Sequence, residues 1–326
     1  MGLKAVAASV AALVAAVAVG FVAPSSAVAA TASPPVRARV SDLPRAPFFG
    51  AFAAGAPADP TQLNLIARET GTAPSVVETF QQVTESFSVT KLRQSNWRGA
   101  VPLVTVETWG GVGGGVHGVE ANQPAYANSQ VIRGRYDNYL RVIARAIVQY
   151  RKPVILRLDH EMNGNWYAWS DGVNGNARGS YVRMWRHVFD VFRRAGAVNV
   201  LWLWAPNIVR GTDSSSSRLR SMYPGDAYVN LVGLSGYGVY NATPAQTFDP
   251  SLKVLAGITR RPVILAETGA EADPWKTGWI RAFGPYLHTH RHIVGFVWYN
   301  LSQSQNWRFD DSAADLAAFR RTLAAR

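Results

Sequence analysis

The chain has 326 residues, 48% hydrophobic and 17% charged, which is ample for a large buried core and too little charge for a disordered polymer. It contains no cysteine, so disulfides, thiolate zinc sites, iron–sulfur clusters and cysteine nucleophiles are excluded. The formal net charge of +12 rests mainly on arginines scattered from Arg37 to Arg326 rather than gathered on one face or tail, which argues against nucleic acid as a partner.

At the amino terminus a single charge, Lys4, precedes an apolar run over residues 5–22 and an Ala27-Val28-Ala29 cleavage pattern. Residues 1–30 therefore read as a secretory signal peptide, whose removal leaves a secreted, extracellular protein with no stable membrane association. Retention as an anchor is the alternative, because the run is just long enough to span a bilayer. Residues 31–46, with Pro34, Pro35 and Pro44, read as a linker, and residues 47–326 as one folded domain.

From residue 47 onward short β-rich runs alternate with longer helical patterns, the signature of a parallel sheet with helical crossovers. Strands are expected at 48–52, 76–80, 101–106, 154–158, 200–204, 231–235, 263–266 and 293–298. Amphipathic helices are expected at 136–150, 181–195 and 312–323, the first with Tyr139, Val142, Ile143, Ala146 and Ile147 as its apolar stripe. Eight β/α units in about 280 residues predict an α/β fold, a single (β/α)8 TIM barrel. A doubly wound open sheet is the runner-up.

In such a barrel, function sits at the carboxyl ends of the strands. Two residues stand out there, Glu161 after strand four and Glu267 after strand seven. Each follows a strand that should be fully buried, where an ionisable side chain is costly unless it has work or a partner. Strands four and seven face each other across the mouth of a barrel. Two carboxyls across a cleft suit glycoside hydrolysis, one protonating the leaving oxygen while the other attacks the anomeric carbon or activates water. Trp109, Trp166, Tyr167, Trp169, Trp204, Tyr237 and Trp298 follow the strands, and aromatic planes stack on the apolar faces of sugar rings. A non-catalytic carbohydrate-binding protein on the same scaffold is the competing class.

Other motifs carry less. His160-Glu161 lacks the second histidine of a zinc-protease helix. Residues 113–118 satisfy G-x-G-x-x-G after a strand, but no convincing helix opens there, so a loop beside the cleft is expected instead of a nucleotide site. His288, His290 and His292 alternate in a polar loop, residues 214–217 form a serine run without assignable chemistry, and no G-x-S-x-G elbow is present. No metal or organic cofactor is expected.

The run Arg157-Leu158-Asp159-His160-Glu161-Met162-Asn163-Gly164-Asn165-Trp166-Tyr167-Ala168-Trp169 resembles the strand-four signature of glycoside hydrolase family 26, over a likeness covering roughly residues 47–326. The family consists mainly of β-mannanases, with some mixed-linkage β-glucanases and β-1,3-xylanases. The resemblance implies a retaining (β/α)8 enzyme with Glu161 as acid/base and Glu267 as nucleophile. It implies Arg157 beneath the site, His160 beside the acid/base, Trp166 against the sugar and Tyr237 hydrogen-bonded to the nucleophile. Trp109, Trp204 and Trp298 complete the expected substrate-binding set. The implied activity is endo-β-1,4-mannanase, acting as a monomer on a β-linked polysaccharide, with endo-β-1,3-1,4-glucanase or β-1,3-xylanase as alternatives. Ser235 stands where mannanases of the family commonly carry an aspartate, and Asn163 and Asn165 replace acidic residues of the typical mannanase motif, which weakens mannan as the substrate.

Overall fold

The eight expected strands form, in a computed structural model that describes residues 35–111, 121–212, 216–303 and 305–325. The leader at 1–30, the first part of the linker, the glycine-rich run at 113–118 and the first serines of the run at 214–217 lie outside the described residues. The strands are β1 (Phe48–Ala53), β2 (Val76–Gln82), β3 (Val101–Glu107), β4 (Val154–Leu158), β5 (Val200–Trp204), β6 (Leu231–Ser235), β7 (Val263–Thr268) and β8 (Ile293–Asn300). Each pairs in parallel with the next, and β8 returns to β1 with Phe48 opposite Gly295, so the sheet closes. Closure excludes the open doubly wound sheet.

Helices fill the crossovers. They are α1 (Thr61–Thr70), α2 (Val89–Ser95), α3 (Asn128–Ile132), α4 (Asp137–Tyr150) and α5 (Ser180–Arg194) in the first half. The second half adds α6 (Val209–Thr212), α7 (Ser216–Met222), α8 (Pro244–Ala256), α9 (Lys276–Thr289) and α10 (Ala313–Ala325). The apolar face of α4 is Leu140, Ile143, Ala144 and Ile147, while Tyr139 and Val142 point to solvent. The expected stripe is thus rotated by about one position, because Leu140 and Ala144 fit the 3.6-residue repeat with Ile143 and Ile147 better than Tyr139 and Val142 do.

Alternation along the strands sorts the core into two layers. Phe48, Val76, Leu103, Ile155, Leu201, Leu203, Leu231, Ile264 and Val297 fill the barrel. Their outward neighbours, including Phe49, Val104, Leu156, Trp202, Trp204, Leu265 and Trp298, pack beneath the helices. Within the segment read as a linker, Ala38 joins the interior cluster and its N–H donates to the Val198 carbonyl at 3.0 Å, just ahead of β5. Residues around Ala38 therefore close the amino-terminal end of the barrel. Apolar filling stops higher up: the inward positions become Glu78, Thr105, Glu107, Arg157 and Ser235, all buried. That change of polarity marks the functional end.

Candidate active site

The deepest element of the site is Arg157, two positions above Ile155 on the same inward face of β4 and fully buried. A buried guanidinium requires partners for its donors. Nη1 donates to Glu267 Oε2 at 2.7 Å and to Glu78 Oε1 at 3.1 Å, and Nη2 donates to Ser235 Oγ at 2.6 Å. Burial opposes the charge on Arg157, but the carboxylates of Glu267 and Glu78 more than offset it and hold its pKa above the ordinary value.

Glu267 reaches this arginine through an irregularity in β7. On one side Gly233 faces Ile264 and Ser235 faces Glu267; on the other Leu265 faces Phe296 and Thr268 faces Trp298. Three residues of β7 therefore oppose two on each neighbour, a β-bulge. Without it the inward series Ile264, Ala266 would send Glu267 out under the helices. With it, Glu267 joins Arg157 and also accepts a hydrogen bond from the Tyr237 hydroxyl.

Beyond β4 the backbone turns sharply. Asp159 and Glu161 both have positive φ, 41° and 54°, a conformation that costs a side-chain-bearing residue about 1–3 kcal/mol and clusters at functional sites. Two anchors hold it. The Asp159 carboxylate accepts from the Thr108 N–H and hydroxyl, both at 2.7 Å, and the Glu161 N–H donates to the Ala205 carbonyl at 2.8 Å. The Glu161 carboxyl then lies in the mouth at 6% exposure, against 9% for Glu267. Trp166 Nε1 donates to Glu161 Oε2 at 2.9 Å, and the side chains of Asn207 and Ser235 lie beside this carboxyl and favour its charged form. Gly164 permits that approach, since a Cβ there would stand 2.6 Å from the Trp166 ring.

The two glutamates thus flank one Arg157–Ser235 pair, with Glu267 bonded to Arg157 and Glu161 beside Ser235. Burial, followed by the charge of Glu267, raises the Glu161 pKa above the usual carboxyl value, with Arg157 working in the opposite direction. Burial pushes Glu78 up to about 7 and Glu107 to about 8. His160 is buried between Phe80, Tyr167 and Trp169, with Nε2 3.0 Å from the Tyr167 hydroxyl. Burial and the nearby Arg157 hold its pKa well below the ordinary value, so it is neutral. Among the described residues no group of His, Asp and Glu is arranged to hold a metal ion.

Glu161, Glu267, Arg157, His160, Trp166 and Tyr237 therefore come together as a cluster. The other three expected residues do not reach the mouth. Trp204 follows inward Leu203 and so points outward, fully buried with its ring edge-on to Tyr223 at 5.1 Å. Trp298 follows inward Val297 and lies among Trp279, Phe283, Phe309 and Phe319, its Nε1 donating to the Trp307 carbonyl. Trp109 backs Tyr167 and Trp169 from behind, at 5.3 Å from each. In their place a wall of half-buried rings runs from Phe80 to Phe52 to Tyr299 to Tyr237 to Trp307, successive centroids 4.3–6.4 Å apart. Strand alternation could have found Tyr299 and Phe52; nothing in the sequence pattern marks Trp307.

The Glycosyl hydrolase family 26 model matches residues 122–278. Among characterised proteins, Endoglucanase H of Acetivibrio thermocellus is 28% identical over 240 residues, 70% of this chain and 25% of that protein. Mannan endo-1,4-beta-mannosidase A and B of Caldalkalibacillus mannanilyticus is 29% identical over 121 residues, 36% of this chain and 21% of that protein. The chain spans about a quarter of the length of these relatives. The catalytic domain of the Bacillus sp. JAMB-750 endo-beta-1,4-mannanase has the same fold, with a TM-score of 0.65 at 17% identity over 86% of each chain.

Proposed function

Since the chain belongs to glycoside hydrolase family 26, we propose that it is a retaining β-glycoside hydrolase that cleaves a polysaccharide backbone by double displacement. The observation that carries this reading is the placing of two carboxyls on either side of the Arg157–Ser235 pair, Glu267 bonded to Arg157 and Glu161 beside Ser235. Glu267, its charge held by Arg157 and Tyr237, attacks the anomeric carbon. Glu161, its pKa raised by burial and by the charge of Glu267, gives its proton to the departing oxygen. The exocyclic C–O bond breaks as the bond from Glu267 to the sugar forms. That bond consumes the negative charge on Glu267, which removes one of the causes that raised the pKa of Glu161. Glu161 is then better suited to take a proton from water as the water oxygen attacks the same carbon and releases Glu267. Neutral His160 and Tyr167 pack behind this exchange and hold the strained turn.

β-1,4-Mannan is the proposed backbone, supported by the mannosidase relatives. A second reading, mixed-linkage β-glucan, is favoured by Ser235 at the position where an acidic residue is expected for mannan, and by the endoglucanase as a relative matching 70% of the chain. The leader pattern of residues 1–30 supports action outside the cell. Reducing-sugar release from galactomannan, glucomannan, barley β-glucan and β-1,3-xylan tests the reading, with Glu161→Ala and Glu267→Ala alongside. Release from galactomannan abolished by both substitutions supports a mannanase; release from barley β-glucan alone moves the substrate to the second reading. Binding without release of sugar from any polymer sinks the enzyme.

A further inference from the structure

Tyr240 is the most exposed large apolar side chain among the described residues, at 85%, and its backbone makes the exposure costly to keep. Tyr240 and Asn241 have φ of 55° and 56°, and the Ala242 N–H donates to the Val239 carbonyl at 3.1 Å. Two consecutive left-handed residues closed by this bond make a type I′ turn, whose central positions favour glycine, asparagine and aspartate. Asn241 fits that preference and Tyr240 does not. The turn is nevertheless held firmly: the Tyr240 N–H donates at 2.6 Å to Oε1 of Glu271, a carboxyl that is itself 8% exposed.

The location of this turn follows from the sheet. Pairing of β6 with β7 continues beyond both strands, with the Gly236 N–H on the Glu267 carbonyl, the Gly238 N–H on the Gly269 carbonyl and the Glu271 N–H on the Gly238 carbonyl. That extension carries the chain from Ser235 past Tyr237, which bonds Glu267, to Tyr240 three residues on, at the carboxyl-end rim. Arg210 Nη2 steadies it by donating to the Tyr237 carbonyl at 3.2 Å.

We infer that Tyr240 is an aromatic platform for a pyranose ring of the substrate chain, a rim subsite beyond the aromatic wall of the cleft. This rests on the polysaccharide reading above. A turn that tolerates tyrosine poorly, pinned by a buried carboxylate and projecting the ring into solvent on the substrate face, supplies a flat apolar surface with little left to order on binding.

The test uses the full chain, with Tyr240→Ala, Tyr240→Trp and the wild type compared on galactomannan and on barley β-glucan. Electrophoresis through gels containing each polymer reads affinity without catalysis, and steady-state kinetics reads KM against kcat. Tyr240→Ala should weaken retardation and raise KM for the bound polymer about tenfold, with kcat within about twofold, as for loss of one aromatic anchor. Tyr240→Trp should restore both. Equal retardation of wild type and Tyr240→Ala by both polymers overturns the platform, and so does a fall in kcat with KM unchanged, which would place the effect in the Tyr237–Glu267 geometry. If neither polymer is cleaved but one retards the wild type and not Tyr240→Ala, the platform stands and the hydrolase reading fails.

Discussion

Glu78 and Glu267, from strands on different sides of the barrel, accept hydrogen bonds from the same Nη1 nitrogen of Arg157. One cation is thereby shared between a carboxylate at the reacting surface and one sealed in the floor. Thr105 donates to the same Glu78 oxygen at 2.6 Å, so the floor carboxylate is itself fixed. The arginine cannot relax toward either partner without drawing its guanidinium away from the other carboxyl.

Removing that cation should therefore be costly. Arg157→Met is expected to lose about 3–5 kcal/mol of stability, the usual range when one partner of a buried ion pair is deleted. Denaturant unfolding of Arg157→Met beside the wild type measures it. A loss under about 1 kcal/mol would mean that the shared nitrogen contributes little.

The two glutamates should separate by leaving group. Glu161→Ala should lose at least about a hundredfold in kcat on polymer, yet keep most of the glycosylation rate on an aryl glycoside whose phenolate leaves without a proton. Glu267→Ala should be inactive on both, because no covalent bond to the sugar can form. Pre-steady-state release of the phenol reads the first step directly, and equal loss in the two variants would contradict the assigned roles.

On the acid role proposed for Glu161, the alkaline limb of activity should follow this carboxyl, whose pKa burial raises. The Trp166 N–H stabilises its charged form, so Trp166→Phe should raise that pKa further. The alkaline limb of kcat/KM should move to higher pH in Trp166→Phe. A limb that stays in place or moves down would show that another group sets it.

Glu107 gives a stability signature of its own. Its folded pKa is pushed up to about 8, above the ordinary value of 4.5, so the folded state holds a proton that the unfolded chain releases between those values. Stability must then fall as pH rises through that window. Glu107→Gln, which mimics the protonated form, should match the wild type near pH 5 and exceed it by on the order of a few kcal/mol near pH 9. Parallel urea titrations at the two pH values check the sign.

Neighbours on β8 should behave oppositely. Trp298→Ala should cost about 3–5 kcal/mol of stability with little change in KM, as for other buried aromatics. Tyr299→Ala, on the cleft face, should raise KM with the smaller stability loss. Thermal unfolding and kinetics on the two variants would expose an error in the strand's facing.

The eight strands are legible because apolar runs and turn residues repeat along the sequence, and Glu161 is legible because its neighbours form a specific run. Facing is not legible at Trp204 and Trp298 because both lie in strands packed with apolar residues on both sides, where hydrophobicity alone does not distinguish inside from outside. The partnership of Glu78 with Arg157 is not legible in the sequence because it joins residues 79 positions apart in the barrel floor. Ser235 stands out in the sequence only as a departure, although its hydroxyl accepts from Arg157 beside Glu161.

The bulge in β7 has a consequence for how this strand can change. Ala266 and Glu267 both face inward, so the strand carries one residue more than its two neighbours need. Taking Ala266 out would restore a plain two-residue repeat and still leave Glu267 opposite Ser235. Straightening the strand without a deletion would instead turn the carboxylate onto Trp298 and the helices. Losing a residue here is therefore compatible with the chemistry, while losing the irregularity is not, and β7 is better described by its parity than by its length.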